Sequence, residues 1–256
     1  MLQRLKALAA AAVLAGAAVP ADAAEPLLLQ SPGGKVAARI ALDGQGRPTY
    51  SLSYAGRALI APSALGLAFE RYRQLSPGMA IEGSDRSSGA DAYSLIGKRA
   101  SVSDPYGQLI VRFAETGGEK RRLEIHFRAY EDGFAFRYRI PPQPNLRQLR
   151  LEGEATEFAF PADYRCQAFN VGRFGSSHEG EFDPVRASQF RPHNLFDLPV
   201  VCEAGAGGPA MAFAEADLGN YAGLYLAGRD SGAPGLQARL SRRLDDPAIA
   251  VAAWVG

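Results

Sequence analysis

The most concentrated run of ionisable side chains in the 256-residue chain is His178-Glu179-Gly180-Glu181-Phe182-Asp183. Three carboxylates within five residues are a donor set for a hard cation or for sugar hydroxyls. Calcium takes roughly six to eight oxygen ligands, so the run supplies only part of such a site. A solvated acidic loop is the plainer account of the same residues. Proton transfer at a sugar ring needs a placed acid and base, commonly Glu and His. Glu179, Glu181 and His193 are the groups on offer, and nothing in their spacing compels that role.

This run sits in Asn170–Pro199, a stretch with little hydrophobic alternation and two of the three histidines. A long irregular segment in a compact domain is where function or mobility concentrates. Cys166 and Cys202 bracket it and enclose about 35 residues. A disulfide across that loop is worth roughly 3 to 4 kcal/mol in an oxidising compartment. Two buried free thiols fit the sequence equally well. Tyr164, Phe169, Phe174, Phe190 and Phe196 lie in or beside the segment and are candidate rings for stacking on a sugar.

Other catalytic signatures are missing. No G-x-S-x-G, P-loop or EF-hand pattern occurs, and Phe182 stands where H-E-x-x-H needs its second histidine. Gly205-Ala206-Gly207-Gly208-Pro209-Ala210 loosely fits a dinucleotide fingerprint, but Pro209 interrupts it and no helix follows. It reads as a hairpin loop.

The elements that must hold these residues are strands. Leu123, Ile125, Phe127 and Ala129 alternate with polar neighbours, then Glu131-Asp132-Gly133 turns the chain into alternating Phe134–Ile140. Val36–Leu42 and Tyr50–Tyr54 repeat the pattern about Asp43-Gly44-Gln45-Gly46. Further strands are predicted over Leu65–Glu70, Gln108–Ala114, Ala155–Phe160, Ala210–Ala214, Ala222–Ala227 and Leu236–Leu240. Gly83–Gly89 reads as a polar loop, and short helical turns are predicted near Arg186–Gln189 and Ala214–Leu218. The fold class is all-β, an antiparallel sandwich with one face of each sheet buried.

Composition narrows the partners. The chain has 28 basic and 27 acidic residues, so it lacks the basic footprint of a nucleic-acid binder. Two cysteines do not make a disulfide-dense miniature fold, and 47% apolar residues are too many for a disordered chain. Residues 1–24 read as a secretory signal peptide: Arg4 and Lys6, an apolar run over Ala7–Val19, then Ala21-Asp22-Ala23. The apolar run falls short of the roughly 20 residues of a membrane span. Residues 25–256 then form one domain, periplasmic or secreted, with no membrane partner.

Several segments, in order, resemble the N-terminal domain of glycoside hydrolase family 97, a family of secreted α-glucosidases and α-galactosidases. Leu29–Val36 (LQSPGGKV) resembles its first strand, and Asp43–Tyr54 with Gly56-Arg57 and Pro62–Leu67 its next strands and loop. The most specific segment is Phe127–Tyr138 (FRAYEDGFAFRY). His178–Phe182 resembles the segment with a metal-binding glutamate, and Phe213–Leu226 the late strand and acidic turn.

The resemblance implies a β-super-sandwich of galactose mutarotase-like fold, two packed antiparallel sheets beside a (β/α)8 barrel. In the family the barrel carries the catalytic carboxylates, and the N-terminal domain gives one carboxylate to an active-site calcium. By position that ligand is Glu179. The family favours an aromatic before this glutamate and a tyrosine after it; here stand His178 and Phe182. The length accommodates this domain and not a barrel of about 250 residues more. The expected function is therefore a non-catalytic, carbohydrate-associated domain, partnered by sugar and by a separately encoded barrel. The other expectation is a mutarotase-like epimerase or small hydrolase using Glu179, Glu181 and His193.

Overall fold

A computed structural model describes residues 25–241 apart from 71–72, 95, 97–100, 145, 147–149 and 220. The proposed signal peptide, residues 1–24, lies outside the described residues. Strands β1 (Leu27–Gln30), β2 (Val36–Leu42), β3 (Pro48–Tyr54) and β4 (Arg57–Ala64) form an antiparallel sheet in sequential order. Strand β5 (Leu67–Phe69) follows. Then β6 (Met79–Ser94), β7 (Ser101–Glu115), β8 (Arg122–Ala129) and β9 (Phe134–Arg139) form a second sequential sheet. The first sheet packs on the second, β1 and β2 lying over β7 and β8.

The rest of the chain makes shorter strands. They are β10 (Leu151–Glu154), which pairs with β5, β11 (Glu157–Ala159), β12 (Arg165–Ala168) and β13 (Asp183–Arg186). After them come β14 (Val200–Glu203), β15 (Ala210–Phe213), β16 (Leu224–Gly228) and β17 (Gly235–Leu240). Two more antiparallel sheets result, one ordered β11-β17-β16 and the other β13-β12-β14-β15. Among the described residues the all-β sandwich is thus five antiparallel sheets around one core. Among the described residues the one helical element is a 3-10 turn at Ala187–Gln189, and no helix is long and apolar enough to cross a membrane.

Alternation explains the best-formed strands. In β8, Leu123, Ile125, Phe127 and Ala129 are fully buried, because successive side chains of a strand point to opposite faces. Two expectations fail. Gly83–Gly89 is not a loop but the middle of β6, its backbone bonded to β7 while its side chains stay largely in solvent. Ala214–Leu218 is not helical; Glu215 instead accepts the Leu224 N–H at 3.1 Å, fixing the entry to β16. The AGAGGP segment is the predicted hairpin loop, joining β14 to β15.

Tyr50 lies where three sheets meet. Its ring is 2% exposed, stacks on Phe134 at 5.7 Å and tilts against Phe136 at 5.5 Å. Phe158 of β11 meets it edge-on at 6.5 Å. Its hydroxyl donates to the Glu157 carbonyl at 3.0 Å. A second buried node joins β10 to the chain before β16. The Glu154 carboxyl accepts from Thr156 Oγ1 and from the Tyr221 hydroxyl, both at 2.6 Å. Burial, with the Glu215 carboxylate nearby, raises the Glu154 pKa above 4.5 although both hydrogen bonds pull it down.

Tyr50→Phe leaves the Glu157 carbonyl without its donor, and should cost about 1–2 kcal/mol in urea unfolding. Tyr50→Ala, which opens a cavity among the rings, should cost about 3–5 kcal/mol. Glu154 sets a second expectation. Because its folded pKa lies above that of the unfolded chain, its contribution is fully present below pH 4.5 and is lost as pH rises through the folded value. Unfolding free energy of the wild type should therefore fall relative to Glu154→Gln as pH is raised from 4.5 into the neutral range. Parallel curves would contradict this.

Candidate functional site

The acidic run hangs from the sheet that contains both cysteines. Cys166 on β12 faces Cys202 on β14, with Cα atoms 4.0 Å apart, and the two form a disulfide. Residues 169–182 leave β12 and return as β13. Their first residues are fixed by backbone bonds: Val171 N–H to the Leu195 carbonyl and Asp197 N–H to the Phe169 carbonyl, each 2.9 Å. Phe196 in turn exchanges two backbone bonds with Leu226 of β16, at 2.7 and 3.0 Å. The loop is therefore tied to two sheets.

His178 anchors the tip. Its backbone is left-handed, with φ of 57°, and its ring meets the scaffold. The Nδ1 atom lies 2.6 Å from Asp197 Oδ2. A carboxylate only accepts, so Nδ1 carries the hydrogen, and in the neutral ring Nε2 is left to accept. Its partner is the Tyr225 hydroxyl on β16, at 3.4 Å. Burial, then the Asp197 carboxylate, raises the Tyr225 pKa, which keeps that phenol protonated and donating. Phe174 closes edge-on against the Tyr225 ring at 5.2 Å.

The other side of the tip rests on Phe169. A Cβ at Gly180 would come within 2.3 Å of the Phe169 ring, so only glycine lets the backbone lie against it. Phe182 approaches the same ring at 6.0 Å. Glu179 lies between these two anchors. Its side chain is exposed and has no hydrogen bond or ion pair among the described residues. Glu181 and Asp183 are likewise exposed.

His193 is exposed in a turn closed by Arg191 and Asn194. No hydrogen bond or ion pair among the described residues links it to Glu179 or Glu181. Nor do three or more His, Cys, Asp or Glu side chains gather to hold a metal ion among the described residues. The loop would offer a calcium ion exposed carboxylates, Glu179 among them, and not an oxygen cage of its own. Three ring candidates are corrected: Tyr164, Phe190 and Phe196 are each 3% exposed and belong to the core. Phe169 is half-buried under Gly180, and Phe174 is exposed. The spacing of residues did not point to Asp197 or Tyr225, which lie 19 and 47 positions beyond His178.

With this geometry in view, the likenesses to known proteins are specific. The family described as glycosyl-hydrolase 97 N-terminal matches residues 29–254. A retaining alpha-galactosidase of Bacteroides thetaiotaomicron is 27% identical over 216 residues, 80% of this chain and 31% of that protein. A probable retaining alpha-galactosidase of Streptomyces bingchenggensis is 29% identical over 153 residues, 59% of this chain and 22% of its own length. Among solved structures, a glycoside hydrolase family 97 enzyme from Pseudoalteromonas sp. strain K8, in complex with panose, superposes with a TM-score of 0.74 at 26% identity. It is covered over 32% of its length by 84% of this chain. The chain thus spans about a third or less of the length of these relatives.

The disulfide sets an expectation for the loop. Reduction, or Cys166→Ala with Cys202→Ala, frees a segment with a sequence separation of 36. It should lower the unfolding free energy by about 2–4 kcal/mol. Urea unfolding with and without reductant measures it, and coincident curves would count against the link.

Proposed function

Because the chain belongs to the glycosyl-hydrolase 97 N-terminal family, we propose that it frames a sugar site and does not itself cut the glycosidic bond. Cleavage requires two carboxyl groups held about 5–9.5 Å apart across the scissile bond. In this reading both belong to a (β/α)8 barrel, in the same longer protein or encoded separately. The substrate class is an α-galactoside or α-glucoside; the curated relatives carry the former name.

The observation that carries the reading is Glu179. Its backbone is pinned by His178 on one side and Gly180 on the other, while its carboxylate has no partner among the described residues. Family position selects it over Glu181 as the one ligand this domain lends to a calcium whose remaining oxygens come from elsewhere. Export to the periplasm or beyond, after removal of residues 1–24, is part of the same proposal. The Cys166–Cys202 disulfide supports it, since such bonds persist in oxidising compartments.

The chain as it stands should release no nitrophenol from 4-nitrophenyl α-galactoside or α-glucoside. Calorimetry should find calcium binding of about millimolar strength or weaker, lost in Glu179→Gln. That substitution removes no internal bond and should shift stability by no more than about 0.5 kcal/mol. Turnover that disappears in Glu179→Gln, or micromolar calcium affinity, would overturn the reading.

A further inference from the structure

The β6–β7 hairpin runs on beyond its sheet. The two strands pair from Met79 opposite Glu115 to Ser94 opposite Ser101, but β8 covers β7 only from Gly107 to Ala114. The distal half is a two-stranded ribbon with solvent on both faces. Strand register puts Gly89 opposite Tyr106, Asp91 opposite Asp104 and Gln108 opposite Arg128. These residues, with Tyr93 and Tyr130, share one face.

That face is internally braced. Arg128 lies over the Tyr106 ring at 4.1 Å and donates to Asp91 at 3.0 Å. The Tyr130 hydroxyl also donates to Asp91, at 2.9 Å, and that of Tyr93 to Asp104, at 2.8 Å. Tyr106 lies across Gly89, where a Cβ would come 2.7 Å from its hydroxyl. Beside this face a groove of about 250 Å³ opens, with Lys35 and Tyr54 on one side and Asp104, Tyr130, Glu131 and Asp132 on the other. Its walls are pre-set. Asp91 holds Tyr130, Tyr93 holds Asp104, and the Gly33 N–H donates to Glu131.

The lining selects a ligand by elimination. Three carboxylates against one ammonium repel phosphates and carboxylates. The same carboxylates do not converge as a metal-binding group. Two tyrosine rings offer apolar walls, the carboxylates accept from hydroxyls, and Lys35 donates. The volume is slightly below the roughly 300 Å³ at which drug-sized sites begin, which suits one ring. A neutral molecule with an apolar face and a rim of hydroxyls is a hexopyranose. We propose that this groove is an accessory binding site for a single neutral hexopyranose unit, free or at the end of a glycan. It uses no residue of the Glu179 loop, so it stands or falls separately from the function proposed above.

The test is a titration of the ¹⁵N-labelled chain with methyl α-galactoside, methyl α-glucoside and maltotriose, and with spermidine as a cationic control. At least one sugar should shift the amides of Lys35, Tyr54, Asp104 and Asp132, with a Kd of about millimolar. Tyr130→Ala should weaken binding at least tenfold. Because Tyr130 also braces Asp91, Asp104→Asn and Asp132→Asn serve as milder variants, each expected to weaken binding several-fold with the spectrum otherwise unchanged. Glu179→Gln should bind as the wild type does. Three results would overturn the proposal: no shifts with any sugar, shifts centred on residues 174–182 and lost in Glu179→Gln, or groove shifts with spermidine but not with sugar.

Discussion

Three of the five sheets close on one phenol. Tyr50 comes from the first sheet, the Phe134 and Phe136 rings packed on it from the second, and the Glu157 carbonyl it donates to from β11. Burying an aromatic of this size supplies much of the local driving force, and burying its hydroxyl is tolerable only because it has a partner. Glu157 extends the connection. Its carboxylate accepts from Arg229 at 3.1 Å, and the neighbouring Ala159 N–H donates to the buried Ser63 hydroxyl at 2.8 Å. A three-residue strand is too short to hold its place by its ladder alone. Here β11 is located by its side-chain bonds to Tyr50 of β3, Ser63 of β4 and Arg229, and by its pairing with β17.

The site depends on that placement at one remove. Strand β17 pairs with β16, and β16 carries Tyr225, which meets His178. The opposite root of the loop is set by the disulfide between β12 and β14. The tip thus receives support from two sheets that do not share a ladder. Such a loop is held by a scaffold and need not supply its own core, the usual arrangement for functional loops.

How much of this was legible in the sequence follows from which faces are buried. The β8–β9 hairpin was legible because one face of β8 is wholly interior, so Leu123, Ile125 and Phe127 alternate with Glu124, His126 and Arg128. Residues Gly83–Gly89 misled because a ribbon exposed on both faces has no apolar period to read. Strand β4 was obscured by register shifts between Tyr50 and Ser53, which break its alternation. Tyr164, Phe190 and Phe196 misled in the opposite sense. Their segment lacks alternation, yet the backbone bridge between Phe196 and Leu226 draws it into the core. The acidic run and the family resemblance both singled out Glu179, whereas nothing in the sequence pointed to Asp197 and Tyr225, because long-range pairing brings them to His178.

The fold treats its glutamates in two ways, and the difference bears on function. The Glu154 and Glu157 carboxylates accept from Thr156, Tyr221, Arg229 and the Ala64 amide. Such groups serve the fold and are spent on it. Glu179 is held in place and has no side-chain partner among the described residues. Ordering a backbone residue costs about 1–2 kcal/mol, and the bonds of His178 and the contact of Gly180 with Phe169 offset that cost without involving the carboxylate between them. A solvated acidic loop needs no such bracing, since its charges gain as much from water in any conformation. In the function proposed above, bracing from both sides sets the carboxylate at one position relative to a cation whose other ligands lie elsewhere.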